Sequence, residues 1–473
     1  MSDLHYLSAT DALRSFRTKE LSPVELLEAL IARTEQVEPT INAFAEERFE
    51  EALVAAKDAE ARYAGIGPNP RPLEGVPVAV KEEATIEGQK NTLGSLPLKD
   101  VVATETAVFV QRIIDAGGIV HARTTTPEFS CAPVTWTRLW GVTRNPWNTD
   151  FAPGGSSGGS GASLAAGTTT LATGSDIGGS IRIPASFCGV VGFKPPYGRV
   201  PEMRGFNLDH YCHEGPLART VADTALLENV IAGPHPSDVV SLRPKLEIPP
   251  TLDGAEGMRL ALSTDLGCYR VDDDVVANTR AAAERLREAG AVVEEVSIPW
   301  DLASIVRAAK IHFGMIFGPS LRELYEAQGE LFTSYARRFV EESDQIPKEA
   351  FVEGLELEAK IYQPLGELLE DYDALLCPTF AVPALPAEYD TGDPTLVNGV
   401  EVEDWVDVLM TVPFNIASRC PVLSIPSGRA RNGVPTGLSV VGKTYDDVTA
   451  FRVAAAHEAR FPWLDTPERR PQL

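Results

Sequence analysis

Pro153-Gly154-Gly155-Ser156-Ser157-Gly158-Gly159-Ser160 and Gly174-Ser175-Asp176-Ile177-Gly178-Gly179-Ser180-Ile181-Arg182-Ile183-Pro184 are two glycine-rich turns, each set between apolar segments and each carrying a serine. Glycine lets backbone N–H groups crowd around one point, and serine places a hydroxyl there. The combination suits acyl transfer. A serine hydroxyl attacks a carbonyl only beside a base, and no histidine lies within either turn. His121, His210 and His213 reach the serines only through the fold. Lys81 ends the apolar run Val76-Pro77-Val78-Ala79-Val80, where desolvation at the end of a buried strand favours an uncharged amine. It is the candidate base. The competing reading, a surface lysine in an ion pair, is encouraged by Glu82 and Glu83. A phosphate-binding loop does not fit, because no Gly-Lys-Ser/Thr follows the glycines.

Outward from the turns, short β-rich runs alternate with helical ones. The patterns predict strands at 76–80, 118–122, 168–173 and 189–193, with helices at 104–116 and 220–232. Residues 181–188 are expected to lead straight into strand. Later strands are expected at 259–263, 292–298, 374–377, 423–425 and 438–441, and later helices at 275–289 and 348–369. Upstream, Ser22-Pro23-Val24-Glu25 is a capping box that opens a helix, and a longer helix is expected over 41–63. Residues 234–257, rich in proline and aspartate, read as a surface connection. The mostly helical 301–343 region carries Phe313, Phe317, Tyr325, Phe332, Tyr335 and Phe339, as core or as a pocket wall.

This alternation predicts an α/β fold, a single large domain with a mixed β-sheet core covered by helices on both faces. Its expected parts are N-terminal helices over 1–65, a catalytic core over 73–235, and a 258–473 region that continues the sheet and forms part of the pocket. The chain has 473 residues, 44% of them hydrophobic, which is enough for a large core. A net charge of −25 argues against a nucleic-acid partner. The N-terminal residues lack a basic, apolar leader, and no apolar run is long enough to cross a bilayer. A cytoplasmic protein with no membrane association is expected. Six separated cysteines without Cys-x-x-Cys fit reduced thiols, and seven histidines without His-x-x-x-His imply no metal. No cofactor is expected.

Taken together, Gly75-Val76-Pro77-Val78-Ala79-Val80-Lys81, Asn145-Pro146-Trp147, both serine turns and Gly189-Val190-Val191-Gly192-Phe193-Lys194-Pro195 resemble the amidase signature family. So do Gly215-Pro216-Leu217-Ala218-Arg219-Thr220-Val221, Tyr372-Asp373-Ala374-Leu375-Leu376-Cys377-Pro378-Thr379 and Pro413-Phe414-Asn415. The resemblance spans nearly the whole chain. It implies the amidase signature fold, Ser180 as the acylated nucleophile, Ser156 as a bridging serine on a cis peptide bond, and Lys81 as the base acting through Ser156. Backbone N–H groups of Ile177, Gly178, Gly179 and Ser180 are the expected oxyanion hole. Arg182 is expected in a structural ion pair, and Asp176 as a turn stabiliser.

The implied reaction is hydrolysis of C–N bonds in small or aryl amides, with esters and carbamates (urethanes) as further candidates. Loops at 126–139 and 206–213 supply Phe129, Cys131, Trp136, Phe206 and Tyr211, which with Gly155 are the expected substrate contacts; the rings read equally well as packed side chains. Departures from the family pattern fall where the usual Lys-Asp-Asn becomes Lys81-Glu82-Glu83 and the usual Asp-Gln becomes Cys212-His213. A glutamine-hydrolysing component of an aminoacyl-tRNA amidotransferase is therefore the lesser reading. A catalytically silent protein of binding or assembly is disfavoured by intact Lys81, Ser156 and Ser180. The expected partner is a small-molecule substrate, bound by a monomer or homodimer.

Overall fold

Capped serines start the chain's first helices. Ser8 accepts the Asp11 N–H at the head of α1 (Ala9–Thr18), and Ser22 and Glu25 cap each other's backbone at α2 (Pro23–Ile41), with Pro23 in the first turn. The computed structural model describes residues 3–202 and 205–473. Asn42, at φ 50°, ends α2, and β1 (Phe44–Glu47) precedes α3 (Phe49–Tyr63). Then follow β2 (Pro77–Lys81), α4 (Val108–Asp115) and β3 (Ile119–Thr124). The single helix expected over 41–63 is thus two elements, because the left-handed Asn42 stops α2 and β1 gains a ladder with β3.

A short ribbon of β4 (Trp136–Thr137) and β5 (Gly141–Val142) stands apart from the main sheet. Beyond it come α5 (Gly158–Ala166), β6 (Leu171–Ser175), α6 (Arg182–Cys188), β7 (Val191–Lys194), β8 (Glu214–Ala218) and α7 (Val221–Ile231). α6 occupies 182–188 and leads through Gly189 into β7, so 181–188 does pass into strand as expected. The Asp176 carboxylate accepts the N–H groups of Gly179 and Ile181 at its head, and Gly189 at φ 65° ends it. The second half contains β9 (Arg259–Leu262), α8 (Asp273–Glu288), β10 (Val292–Glu295), α9 (Leu302–Gln328), α10 (Ser334–Ser343), α11 (Ala350–Asp371) and β11 (Ala374–Pro378). It continues through a ribbon of β12 (Leu396–Val397) and β13 (Val400–Glu401) to α12 (Pro413–Ile416), β14 (Val422–Arg429), β15 (Pro435–Gly442) and α13 (Asp447–Glu458).

Eleven strands form one mixed sheet in the order β1-β3-β2-β6-β8-β7-β14-β15-β11-β9-β10. β2 lies parallel to both neighbours, and all five of its residues are buried, as its unbroken apolar run requires. Alternate residues feed opposite faces. Val78 and Val80 pack with Leu26, Leu30 and Val110 of α2 and α4, whereas Ala79 packs with Ala162 and Ala165 of α5. In the second half, Leu376 and Ala261 likewise join cores on opposite faces. Helices therefore cover both sides, and the C-terminal end of β2 opens where the two serine turns meet. Among the described residues, no helix is long and apolar enough to cross a membrane.

Candidate active site

β2 carries Lys81 into the interior, where Thr173 Oγ1 of β6 accepts its backbone N–H at 3.1 Å. The side chain is only 2% exposed. Nζ lies 2.7 Å from Ser156 Oγ, 2.7 Å from Ser175 Oγ and 2.6 Å from Glu83 Oε2. Burial of Lys81 sets aside the surface reading, but the ion pair it proposed is present, made by a Glu83 side chain that stays 30% exposed. Glu82 turns elsewhere and accepts the Thr92 N–H. Burial works against charge on Glu83, but the Lys81 ammonium and hydrogen bonds from Lys81, Ser175 and Ser130 outweigh it and hold this carboxyl below its ordinary range.

Ser156 follows a cis Gly155–Ser156 peptide bond. A Cβ on Gly155 would lie 2.5 Å from both Val134 N and O, so only glycine fits that approach. The Ser157 N–H donates to Ser180 O at 3.1 Å, which ties the turns together. Ser180 Oγ has no hydrogen-bond partner among the described residues, and Ser180 lines an open cleft with Gly155. The link from Lys81 to Ser156 is thus made directly, while Ser156 and Ser180 share a junction without a mutual hydrogen bond.

Asp176 and Arg182, both fully buried, hold the second turn. Arg182 donates to Asp176 through Nε at 2.9 Å and a terminal nitrogen at 2.7 Å, and reaches Thr411 O and Asn415 Oδ1. Burial opposes charge on Asp176, yet the Arg182 guanidinium outweighs it and holds the carboxyl far below its ordinary range. Arg182→Ala would strand that carboxylate. The expected loss is about 3–5 kcal/mol of folding stability, read as a lower urea midpoint at unchanged slope; a loss under about 1 kcal/mol would remove the pair from this role.

The oxyanion expectation needs one correction. Gly179 N–H donates to Asp176 Oδ1 at 2.9 Å and is not free for substrate. Its φ of +126° and a would-be Cβ 2.3 Å from Thr411 Oγ1 explain why glycine stands there. The N–H groups of Ile177, Gly178 and Ser180 have no acceptor among the described residues.

Two spaces adjoin at these turns, sharing Ser130, Ile177 and Phe317 as walls. The cleft at Ser180, about 40 Å³, is lined by Cys131, Ile183, Phe313, Phe339, Trp405 and Leu409. The chamber at Ser156, about 320 Å³, is lined by Phe129, Phe206, Glu83, Glu202 and Glu214. Burial, then Glu202 and Glu83, push the Glu214 carboxyl well above its ordinary range. The region 301–343 divides as both readings allowed: Phe313, Phe317 and Phe339 form pocket wall, while Phe332 and Tyr335 are core. Among the expected substrate contacts, Phe129, Cys131, Gly155 and Phe206 line these spaces. Trp136 and Tyr211 line neither. Trp136 donates to Tyr389 O at 2.8 Å and packs edge-on against Tyr335, and fully buried Tyr211 stacks on His312 at 3.5 Å.

No histidine hydrogen-bonds to Ser156 or Ser180 among the described residues. His213 faces Asp176 O and Ser418 O, and burial followed by the Lys194 charge lowers it to about 3; burial lowers His121 to about 4. Asp209, His210 and His312 bring possible ligand atoms within 4.8 Å of one another. His312 is already bonded to Asp209 at 2.7 Å, and His210 to Glu358 at 3.0 Å, so the group clasps the 206–213 segment to α9 and α11. Sequence reading missed Ser175, Trp405 and Leu409. Ser175 was open to detection, because it sits five residues before Ser180 on the same turn; the other two carry no local motif.

The Amidase family profile matches residues 25–451. An acylamidase of Rhodococcus erythropolis is 34% identical over 98% of this chain and 97% of its own length. A glutamyl-tRNA(Gln) amidotransferase component of Chloroflexus aggregans is 32% identical over 100% of this chain and 99% of its own. Among solved structures, a bacterial aryl acylamidase of the amidase signature enzymes superposes with a TM-score of 0.90 at 29% identity, over 98% of each chain.

Proposed function

Since the chain belongs to the amidase family and is a hydrolase of amide C–N bonds, we propose that it works through an acyl-enzyme on Ser180, with Ser156 and Lys81 as a proton relay. Lys81 as a free amine takes the Ser156 proton, Ser156 takes that of Ser180, and Ser180 Oγ bonds to the substrate carbonyl carbon. Charge growing on the carbonyl oxygen is met by the N–H groups of Ile177, Gly178 and Ser180. Ser156 then gives a proton to the departing nitrogen as the C–N bond breaks, and the Lys81 ammonium returns its proton to Ser156. Water repeats the attack, and a carboxylic acid leaves with Ser180 restored. The observation that carries this reading is the 2.7 Å contact between buried Lys81 Nζ and Ser156 Oγ, beside a turn tied to Ser180.

The substrate in this reading is a small amide with an apolar or aryl group. Phe313, Phe317 and Phe339 beside Ser180 support it, as do relatives named acylamidase and aryl acylamidase. Esters and aryl carbamates belong to the same proposal, because an acyl-enzyme accepts several leaving groups. The protein acts alone, as a monomer or homodimer, in a reducing cytoplasmic setting, a reading supported by six free cysteines. Glutamine hydrolysis as a component of an aminoacyl-tRNA amidotransferase is the second reading, favoured by the name of the Chloroflexus relative.

One assay separates them. The purified chain is expected to hydrolyse an aryl amide and an aryl carbamate without any partner, and to release ammonia from glutamine at least about 100-fold more slowly, a gap of about 2.7 kcal/mol in transition-state binding. Glutamine turnover alone would move the protein to the amidotransferase reading.

A further inference from the structure

The relay needs Lys81 as a free amine, yet a carboxylate touches it. Glu83 Oε2 lies 2.6 Å from Nζ and accepts a hydrogen bond from Ser175 Oγ at 2.7 Å, while Ser175 Oγ is itself 2.7 Å from Nζ. Lysine, serine and carboxylate close a triangle whose outer neighbour is Ser156. An anion at this range stabilises a proton on the amine, and burial opposes that proton. The two effects meet at one atom.

Other charged groups surround the site without an ion pair to Nζ, though Glu214 feels the charges of both Lys81 and Glu83. From the strand end itself, Glu82 accepts the Thr92 N–H. From β3, Arg123 donates to the backbone carbonyls of Lys81 and Glu82. From the second turn, Asp176 is matched by Arg182. From the 206–218 segment come His213, held between two carbonyls, and Glu214, which with Glu202 stands across the chamber. Only Glu83 makes an ion pair with Nζ among the described residues. Where the resembling pattern has the uncharged Asn, this chain has Glu83.

We propose that Glu83 is a positioning residue acting through Lys81: its carboxylate aims the amine at Ser156 and, by stabilising the ammonium, sets how alkaline the medium must be before the relay can run. This rests on Lys81 being the base. The sign follows directly. A carboxylate that favours the ammonium moves the rising limb of activity toward higher pH, and removing its charge moves that limb toward lower pH.

Glu83→Gln keeps the side-chain length and its capacity to accept from Ser175 while deleting the charge. In the pH dependence of kcat/KM for an aryl amide, the midpoint of the rising limb is expected to fall by about one unit or more. At one unit below the wild-type midpoint, the variant then stands about fivefold nearer its own plateau than the wild type does. A limb that stays in place or moves to higher pH overturns the proposal. If the variant folds but turns over nothing, the Lys81 side chain is followed by NMR in lysine-labelled Ser180→Ala protein, its signal assigned by its loss in Lys81→Ala. Proton release at lower pH with Glu83→Gln added supports the coupling, and unchanged release overturns it. Failure of the underlying relay reads differently: full turnover in Lys81→Ala removes the amidase mechanism whatever Glu83→Gln does.

Discussion

Ser180→Ala is expected to lower turnover of an aryl amide by about four orders of magnitude or more, and to abolish the single covalent adduct that a serine-directed sulfonyl fluoride forms on the chain. The size follows from what the hydroxyl supplies. Without Oγ there is no atom to carry the acyl group, and what remains is binding plus whatever the N–H groups of Ile177, Gly178 and Ser180 contribute to a direct attack by water. The structure makes this substitution clean. Ser180 Oγ has no hydrogen-bond partner among the described residues, and the backbone carbonyl that accepts from Ser157 is kept. Thermal unfolding is therefore expected to be unchanged within about 0.5 kcal/mol, so lost activity cannot be assigned to lost structure. Intact protein mass with and without inhibitor reads the adduct. A variant that still hydrolyses amide at the wild-type rate, or still takes one adduct, would place the nucleophile elsewhere.

The contrast between turns and pocket shows what a sequence can disclose. Glycines at 155 and 179 are required by backbone approach, to Val134 and to Thr411, so the chemistry of the turns is written locally as residue type. The β2 run is legible for a similar reason, since a parallel strand between two parallel neighbours has no solvent face to mark with polar residues. Lys81, by contrast, read two ways at once. Sequence places Glu83 two residues on but cannot say that the chain turns after Lys81 so that the carboxylate reaches the buried amine. The helix at 41–63 was over-extended because one left-handed residue, Asn42, has no effect on apolar periodicity. Trp136 and Tyr211 were drawn toward the pocket by residue type alone. Their polar atoms instead meet Tyr389 O and Glu358, partners more than 140 residues away, and only the fold brings these together.

The same distance in sequence explains the pocket wall. The cleft at Ser180 combines the second turn with Phe313 and Phe317 from α9, Phe339 from α10, and Trp405 and Leu409 beyond β13. In the proposed reading, the reaction centre is built from short, constrained stretches, whereas selectivity comes from helices whose local pattern is that of ordinary amphipathic packing. Substrate preference can therefore shift by replacing α9 or α10 side chains without disturbing the Lys81–Ser156 contact, which is held by β2, β6 and the first turn.

Lys81→Ala is the second large effect, and its interpretation requires a partner substitution. Deleting the base is expected to lower kcat by about 10³–10⁴-fold, the upper part of the range for a positioned proton acceptor. It also leaves the Glu83 carboxylate without its countercharge. Because the folded protein holds Glu83 below its ordinary titration range, the Lys81–Glu83 pair contributes stability above the unfolded carboxyl pKa near ~4.3, and that contribution is lost as pH falls through the lower folded value. At neutral pH, Lys81→Ala should therefore unfold at lower temperature than the wild type. Lys81→Ala combined with Glu83→Gln removes both charges, so much of the lost thermal stability should return. Turnover should not. If Lys81 accepts the proton, restoring the fold leaves the relay without its terminus, and kcat in the double variant stays near that of Lys81→Ala across the pH range. Recovery of turnover together with stability would make Lys81 a counterion to Glu83, and Ser156 would then need another base.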